Sequence, residues 1–134
     1  MTIFSTREHN ITPISPVDVQ HLLKQSYWAN TRTLETVETS MKNSYCFGFY
    51  DNDDLIAFGR VVSDYATFYY ICDIIVDEAH RGKGLGKQLN QHIQAHPVFK
   101  ALKGFLATGD AHGLYEQYGF TREPEKFMVK RVDL

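Results

Sequence analysis

Helical and strand-like spacings of hydrophobic residues alternate along the chain and predict most of its elements. A first helix is expected over residues 15–26, because a serine that can cap a helix is followed by a proline suited to the first helical position. A second helix is expected to carry Leu34, Val37 and Met41 on one face. The aromatic-rich stretch 27–32 interrupts the pattern between the two helices.

From residue 43 onward the spacing becomes that of strands. Residues 45–50 and 55–62 flank an acidic stretch that reads as a hairpin turn, and residues 69–76 form a denser β-branched run typical of a buried strand. The other expected elements are an edge strand through Ile3 and Phe4, a helix from about residue 85, a strand over 104–108, a helix over 111–118 capped by Asp110, and a last strand over 127–132. This order predicts a mixed α/β (α+β) fold with a largely antiparallel, twisted central sheet.

Length and charge narrow the class of protein. We expect one domain over residues 1–134, of which 43% are hydrophobic. The net charge of −2, with no long basic run, argues against nucleic acid or an anionic membrane as a partner. No apolar run of membrane-spanning length and no signal peptide are recognisable, so a cytoplasmic location is expected. There Cys46 and Cys72 should stay reduced.

The stretch between the buried strand and the next helix has the most specific chemistry. Gly82, Gly84 and Gly86 alternate with basic residues directly before a helix start. Such a start presents unpaired N–H groups, and glycines let a polyanion approach them. The ATP-binding loop is excluded because Arg81 replaces its first glycine, and the dinucleotide fingerprint because Lys87 replaces its third. A pyrophosphate cradle of another kind is therefore predicted.

Two motifs resemble signatures of the GNAT N-acetyltransferase superfamily. The first is R-x-x-G-x-G at Arg81–Gly86, and the second, [LF]-Y-x-x-x-G-F at Leu114–Phe120, follows after one strand. The resemblance covers roughly residues 44–132. It implies a sheet with helices on both faces and an acyl-CoA cleft between splayed central strands. It also implies direct transfer of an acetyl group from acetyl-CoA to a primary amine of a small molecule, peptide or protein.

The resemblance also assigns acetyl-CoA to particular residues. The pantetheine arm would pair with the backbone of the central strand, and the pyrophosphate would lie on the glycine loop. Many family members have asparagine at the position of Thr108, so the contact of that threonine is in doubt, and His112 is either a site residue or a structural one. The expected contacts are Ile74, Ile75, Val76, Arg81, Gly82, Lys83, Gly84, Leu85, Gly86, Lys87, Thr108 and His112.

Two catalytic residues are expected. Tyr115 matches the family tyrosine that points at the CoA sulfur, and a phenol stays protonated at neutral pH, which suits a general acid. Asp73 is a carboxylate within an apolar strand, where burial would raise its pKa toward the range of a general base. A structural role is the alternative for both residues. Asp64, Asp110 or a water chain are the alternatives for the base.

The acceptor is expected to bind near Tyr27, Trp28 and Arg32, with Tyr65 or Tyr69 opposite, because GNAT enzymes usually line the acceptor site at this chain position. The alternative to an acceptor-binding role is that Trp28 packs in the core and Arg32 is exposed to solvent.

The sequence leaves the overall role open between two classes. The first is an acetyl-CoA-dependent N-acetyltransferase, and the second is a non-catalytic regulatory module that senses acetyl-CoA. No metal is expected, because His92 and His96, one helical turn apart, lack a third ligand. The protein is expected to be a monomer or a homodimer.

Overall fold

The computed structural model describes residues 4–132 of the chain. Its elements are, in order, β1 (Ser5–Glu8), α1 (Pro16–Leu23), α2 (Leu34–Lys42), β2 (Tyr45–Asp51), β3 (Asp54–Ser63), β4 (Phe68–Val76), α3 (Leu85–Ala95), β5 (Lys103–Leu106) and α4 (His112–Glu116). Single 3₁₀ turns follow β4 at Glu78–His80 and α3 at Phe99–Ala101.

The strands form one sheet in the order β1-β2-β3-β4-β5. The first four pair antiparallel in succession, whereas β5 pairs parallel with β4. A parallel neighbour needs a long crossover, and the segment that contains α3 provides it. This mixed, largely antiparallel sheet confirms the predicted fold class.

Helices cover both faces of the sheet. On one face α3 packs Leu89 and Ile93 into a core that includes Val61. On the other face α1 and α2 form a second core with Phe58 and Ile75. The predicted helix faces are confirmed, with Leu34 only half-buried; the buried residues are Val19, Leu22, Leu23, Val37 and Met41.

A bulge interrupts β4 opposite Gly59. Cys72 still pairs with Arg60, but the next two residues, Asp73 and Ile74, oppose Gly59 alone. Asp73 has a φ of 52°, in the left-handed region that aspartate tolerates better than most residues. A bulge of this kind re-aims the side chains that follow it.

The bulge reverses which core the odd-numbered residues of β4 enter. Ile71 belongs to the core beneath α3, whereas Ile75 belongs to the core beneath α1 and α2. Strict alternation would have placed both on one face. A polar residue therefore lies where the strand changes face.

The first helix begins as predicted but ends earlier. The sequence predicts an end near Ser26, whereas α1 ends at Leu23. The reason is that the buried Ser26 hydroxyl donates to the Leu23 carbonyl and accepts from the Ala29 N–H, closing a turn instead of continuing the helix. An edge strand is present as β1, but it begins at Ser5, after Phe4; Ile3 lies outside the described residues.

The C-terminal part departs furthest from the sequence prediction. Asp110 does not cap α4; the Thr108 hydroxyl instead accepts from the Ala111 N–H at 3.0 Å. The expected last strand over 127–132 is absent, and these side chains are exposed. Within residues 4–132 no strand of the sheet pairs with this segment or buries its apolar residues. No helix within residues 4–132 has the length and apolar character to cross a bilayer.

Candidate active site

A gap opens where β4 runs past its parallel neighbour. Pairing between the two strands ends at Ile71 and Leu106, but β4 continues to Val76. Within the described residues, the backbone of 72–76 therefore has no strand partner on the β5 side. This free strand edge leads directly into the glycine loop before α3.

The glycine loop is shaped as an open cradle. Gly82 and Gly84 have φ values of 80° and 77°, where a side chain would be strained. At both positions no heavy atom lies within 4 Å of the place a Cβ would take. Gly84 also precedes α3, whose first turn contains no acidic residue to occupy its N–H groups. The space and the unpaired donors fit a pyrophosphate.

The base of this loop is fixed by hydrogen bonds. The Arg81 Nε donates to the Val76 carbonyl at 3.2 Å. The Gln25 amide donates to Asp77 at 2.8 Å, and His80 Nδ1 lies 2.8 Å from the same carboxylate. Hydrogen bonds from Gln25 and His80 lower the pKa of Asp77 below its usual range. These contacts connect the end of α1 to the entrance of the cradle, while Lys83 and Lys87 remain exposed.

A buried ionic cluster lies at the bulge, next to the free strand edge. Asp73, with 3% of its side chain exposed, accepts from Arg32 Nη1 at 2.6 Å and from Arg60 Nε at 2.8 Å. The Trp28 indole N–H donates to its other oxygen at 3.2 Å. Arg60 also donates to the Ser44 hydroxyl at 3.1 Å. We call Trp28, Arg32, Arg60 and Asp73 the Asp73 cluster.

The expectation of a raised pKa at Asp73 is wrong. Burial alone would raise its pKa, but the hydrogen bonds and charges of Arg32 and Arg60 outweigh that effect and lower it. Burial would likewise lower the pKa of Arg60, and the Asp73 carboxylate raises it instead. A carboxylate held by two guanidinium groups is a poor proton acceptor. Its geometry is that of an anchor for the loop between α1 and α2.

Asp64 is also unsuited to the role of base. Its carboxylate accepts the N–H groups of Ala66 and Thr67 and the Thr67 hydroxyl, which closes the turn between β3 and β4. These hydrogen bonds lower the pKa of Asp64. Of the sequence alternatives for the base, Asp110 and a water chain remain as proposals.

Tyr115 has the surroundings of a proton donor. Its ring is 7% exposed and packs edge-on against Phe120, with centroids 5.9 Å apart. Its hydroxyl makes no hydrogen bond to any of residues 4–132. Burial, and then the charge of Asp110, raise the pKa of Tyr115. The phenol therefore keeps its proton at neutral pH and has it free to donate.

The loop after β5 borders the same gap. Thr108 Oγ1 accepts from the N–H groups of Asp110 and Ala111, so its hydroxyl proton remains available. His112 is the first residue of α4 and is half-buried, one turn before Tyr115. Tyr27 reaches this loop as well, because its hydroxyl lies 3.7 Å from where a Cβ on Gly109 would be. The stretch 27–32 thus extends from the bulge to the loop after β5.

The structure brings Tyr27, Trp28 and Arg32 together but not Tyr65. Tyr27 packs edge-on against Trp28 with centroids 5.1 Å apart, and their side chains are 81% and 45% exposed. Tyr65 instead stacks on Phe99, in the turn before β4 and at the end opposite the gap. The suggested alternative, Tyr69, is buried and donates to Gln94. The structure does not place Tyr65 opposite Trp28, because Tyr65 lies before Phe68, the first residue of β4, whereas Trp28 contacts Asp73 in the second half of the strand.

Sequence reasoning missed Arg60 and Ser44. Arg60 stands within an apolar strand, and a charge there needs a buried partner. Asp73 in the following strand is such a partner, and the antiparallel pairing of β3 with β4 brings them together. Two single charges of opposite sign in adjacent apolar strands were the sequence signal that could have predicted this ion pair.

Comparison with known proteins agrees with this geometry. The profile of the acetyltransferase (GNAT) domain matches residues 42–122, which include β4, the cradle and Tyr115. The chain belongs to the GNAT acetyltransferase family. Members of this family use acetyl-CoA, and the open cradle fits its pyrophosphate.

Solved structures repeat the GNAT fold over nearly the whole chain. A GNAT-family protein from Xanthomonas campestris pv. campestris is 38% identical, with a TM-score of 0.86 over 98% of this chain and 95% of that one. Glucosamine-6-phosphate N-acetyltransferase from Arabidopsis thaliana is 20% identical, with a TM-score of 0.70 over 98% and 99% of the two chains, and shows the fold alone.

A curated relative shares part of its length with this chain. Histone acetyltransferase TAP1 from Glycine max is 28% identical over 122 residues, 81% of this chain and 52% of that protein. The chain thus spans about half the length of this relative.

Proposed function

We propose that this GNAT protein transfers the acetyl group of acetyl-CoA directly to a primary amine of a small molecule, peptide or protein. The observation that carries the proposal is the Tyr115 hydroxyl, whose pKa is raised by burial so that it stays protonated, and which makes no hydrogen bond to any of residues 4–132. A protein that only sensed acetyl-CoA would need no such donor, so the regulatory alternative is not favoured.

Residues on three elements would hold acetyl-CoA. The free edge of β4 over 74–76 offers backbone groups to the pantetheine arm, and the N–H groups of 82–87 offer donors to the pyrophosphate. Arg81, Lys83 and Lys87 add positive charge around the loop. Thr108 has a hydroxyl proton to donate from the other side of the gap, and His112 lies on the same side. Acetyl-CoA supplies the activated acetyl group.

The proposed reaction needs one proton donor and one proton acceptor. The amine nitrogen forms a bond to the acetyl carbon while the C–S bond breaks, and the electron pair of that bond leaves with sulfur. Tyr115 gives its proton to this sulfur. The proton lost by the amine passes to water or to Asp110, because Asp73 and Asp64 are held in hydrogen bonds that lower their pKa values.

The Asp73 cluster forms the acceptor side in this proposal. Trp28 and Arg32 are held against β4 by the Asp73 carboxylate, and Tyr27 extends the same wall toward the loop after β5. Direct transfer needs the amine and the acetyl carbon together in one cleft, so ordering this wall would favour the reaction.

A panel of amines tests the proposal. Thiol release from acetyl-CoA should depend on the amine, and mass spectrometry should find a product heavier by one acetyl group. The Tyr115→Phe variant should bind acetyl-CoA normally and release thiol slowly with the same amine. Tight binding of acetyl-CoA without release across amino acids, polyamines, amino sugars and peptides would contradict catalysis and favour the regulatory alternative.

A further inference from the structure

We infer that the acceptor carries an anionic oxygen group, a carboxylate or a phosphate, which binds to Arg32 and Arg60 of the Asp73 cluster. The inference rests on the proposed function and names the class of amine that the site would take. It follows from the charge balance, the unused hydrogen-bond donors and the position of the cluster.

The cluster contains one more positive charge than it neutralises. Two guanidinium groups, both permanently protonated, share the single carboxylate of Asp73. Among the described residues no other carboxylate lies within ion-pair distance of Arg32 or Arg60. The cluster therefore has a net charge of +1.

This surplus charge is largely withdrawn from water. The side chains of Arg32 and Arg60 are only 25% and 15% exposed. Removing a charge from water without a counter-charge is unfavourable. A folded protein that keeps such a charge at a cleft gains when an anion fills it.

The donors needed for an anion are present. A guanidinium has five N–H donors. Arg32 directs only Nη1 to Asp73, and Arg60 directs Nε to Asp73 and Nη1 to Ser44. The remaining N–H groups match the paired oxygens of a carboxylate or phosphate.

The position of the cluster indicates that the bound anion belongs to the acceptor rather than to CoA. CoA phosphates would lie at the glycine cradle, beyond the C-terminal end of β4, whereas Asp73 lies at the bulge beside the free strand edge. The cluster includes the half-exposed Trp28, and the exposed Tyr27 ring packs edge-on against it. An amine with an anionic group could thus rest against these rings while Arg32 and Arg60 hold its charge.

Matched pairs of amines test the inference. One pair compares free amino acids with their amides, which keep the amine and lose the carboxylate, and a second compares an amino sugar with and without a phosphate. We expect the anionic member of at least one pair to have the higher kcat/KM, by on the order of tenfold or more for a lost charge-assisted contact. The two pairs distinguish a carboxylate from a phosphate.

Three variants assign the effect to Arg32. Arg32→Gln should erase the preference and leave the KM for acetyl-CoA unchanged, Arg32→Lys should retain part of it, and Arg131→Gln, at an exposed arginine outside the site, should change nothing. Melting curves establish that each variant is folded. Neutral amines that react as well as anionic ones, or a preference that survives Arg32→Gln, would overturn the inference and leave the proposed function intact.

A binding measurement separates the two proposals. Calorimetry with anionic analogues that lack the amine, such as a sugar phosphate and short carboxylates, should show binding that Arg32→Gln abolishes. If no amine reacts but these analogues bind through Arg32, the anion site stands and the proposed function fails. If neither reaction nor binding occurs, both are wrong.

Discussion

The glycine cradle and the Asp73 cluster lie at neighbouring positions on β4 but are built in opposite ways. The cradle is a continuous stretch from Val76 to Leu85, open to solvent and shaped by backbone angles. The Asp73 cluster draws side chains from the loop after α1, from β3 and from β4, and it is built around a buried carboxylate and shaped by charge. The cradle should therefore tolerate loss of a side chain and resist added bulk. The cluster should show the reverse behaviour.

The largest effect is expected from Gly84→Val, which adds bulk to the cradle. A β-branched residue at a φ of 77° is strained and fills the space left for the pyrophosphate. We expect acetyl-CoA affinity to fall on the order of a hundredfold or more, which corresponds to roughly 3 kcal/mol, measured by calorimetry. Gly84→Asn is the matched variant, because asparagine accepts this φ and tests the lost space alone. Unchanged affinity in a folded Gly84→Val protein would remove the loop from the site.

A comparable loss, in rate rather than binding, is expected from Tyr115→Phe. The change keeps the ring against Phe120 and deletes only the hydroxyl. We expect kcat to fall roughly ten- to a thousandfold with acetyl-CoA affinity and melting temperature nearly unchanged. Because the pKa of Tyr115 is raised above its ordinary value of about 10, its titration should not limit the rate below that pH. A full rate in the variant, or a loss explained by unfolding, would contradict the acid role.

At the Asp73 cluster the main loss is expected in stability. Asp73→Asn keeps a residue that accepts the left-handed φ but leaves Arg32 and Arg60 without their counter-charge. We expect unfolding to become easier by about 3–5 kcal/mol, as for a broken buried ion pair, measured by urea denaturation. Acetyl-CoA affinity of the folded fraction should be nearly kept, which separates the cluster from the cradle.

The pH dependence of this loss has a defined sign. The pKa of Asp73 is lower in the folded protein than its ordinary value of about 3.9. Its stabilising contribution is then fully present above about that pH and declines as the pH falls through the folded value. The stability difference between wild type and Asp73→Asn should shrink below about pH 4. A difference that stays constant under acid conditions would show that the ion pairs are not its source.

The smallest effect is expected at Gly59, where bulk is added to the buried side of the bulge. A Cβ there would lie 2.7 Å from the end of the Ile74 side chain and 3.2 Å from Leu89. Since both contacts are to mobile ends of side chains, Gly59→Ala should lower stability by only about 1–3 kcal/mol. It should also raise the KM for acetyl-CoA modestly, because Ile74 would move toward the gap. Gly113→Ala, with open space around its Cβ, is the control for stability.

The same contrast explains what the sequence could and could not predict. The strand, the glycine loop and the helix of the cradle follow from local spacing, so their order was predictable without knowing the fold. The bulge was not, because it depends on the register between β3 and β4, and with it the pairing of Asp73 with Arg60 was missed. The pKa of Asp73 was predicted to rise since its apolar neighbours in sequence were visible and its charged neighbours in space were not.

The C-terminal residues 127–132 illustrate another feature that local sequence could not predict. Residues 127–132 include Phe127, Val129 and Val132, which are common in strands, but a strand forms only when a neighbouring strand supplies hydrogen bonds and packing. Tyr65 shows the related error of direction: it is close to β4 in sequence, yet it lies at the end of the strand away from the gap. Which end of β4 borders the gap depends on where β5 pairs with it, and local sequence does not reveal this pairing.

The reach of the Asp73 contacts has a consequence for the order in which the protein assembles. Its hydrogen bonds to Trp28 and Arg32 join residues 45 and 41 positions apart, whereas the Arg81–Val76 hydrogen bond inside the cradle joins residues five positions apart. Closing long loops carries more entropy loss than closing short ones, so distant contacts form later. Hydrogen exchange should therefore find the loop at 27–32 opening before the strand–loop–helix unit of the cradle does.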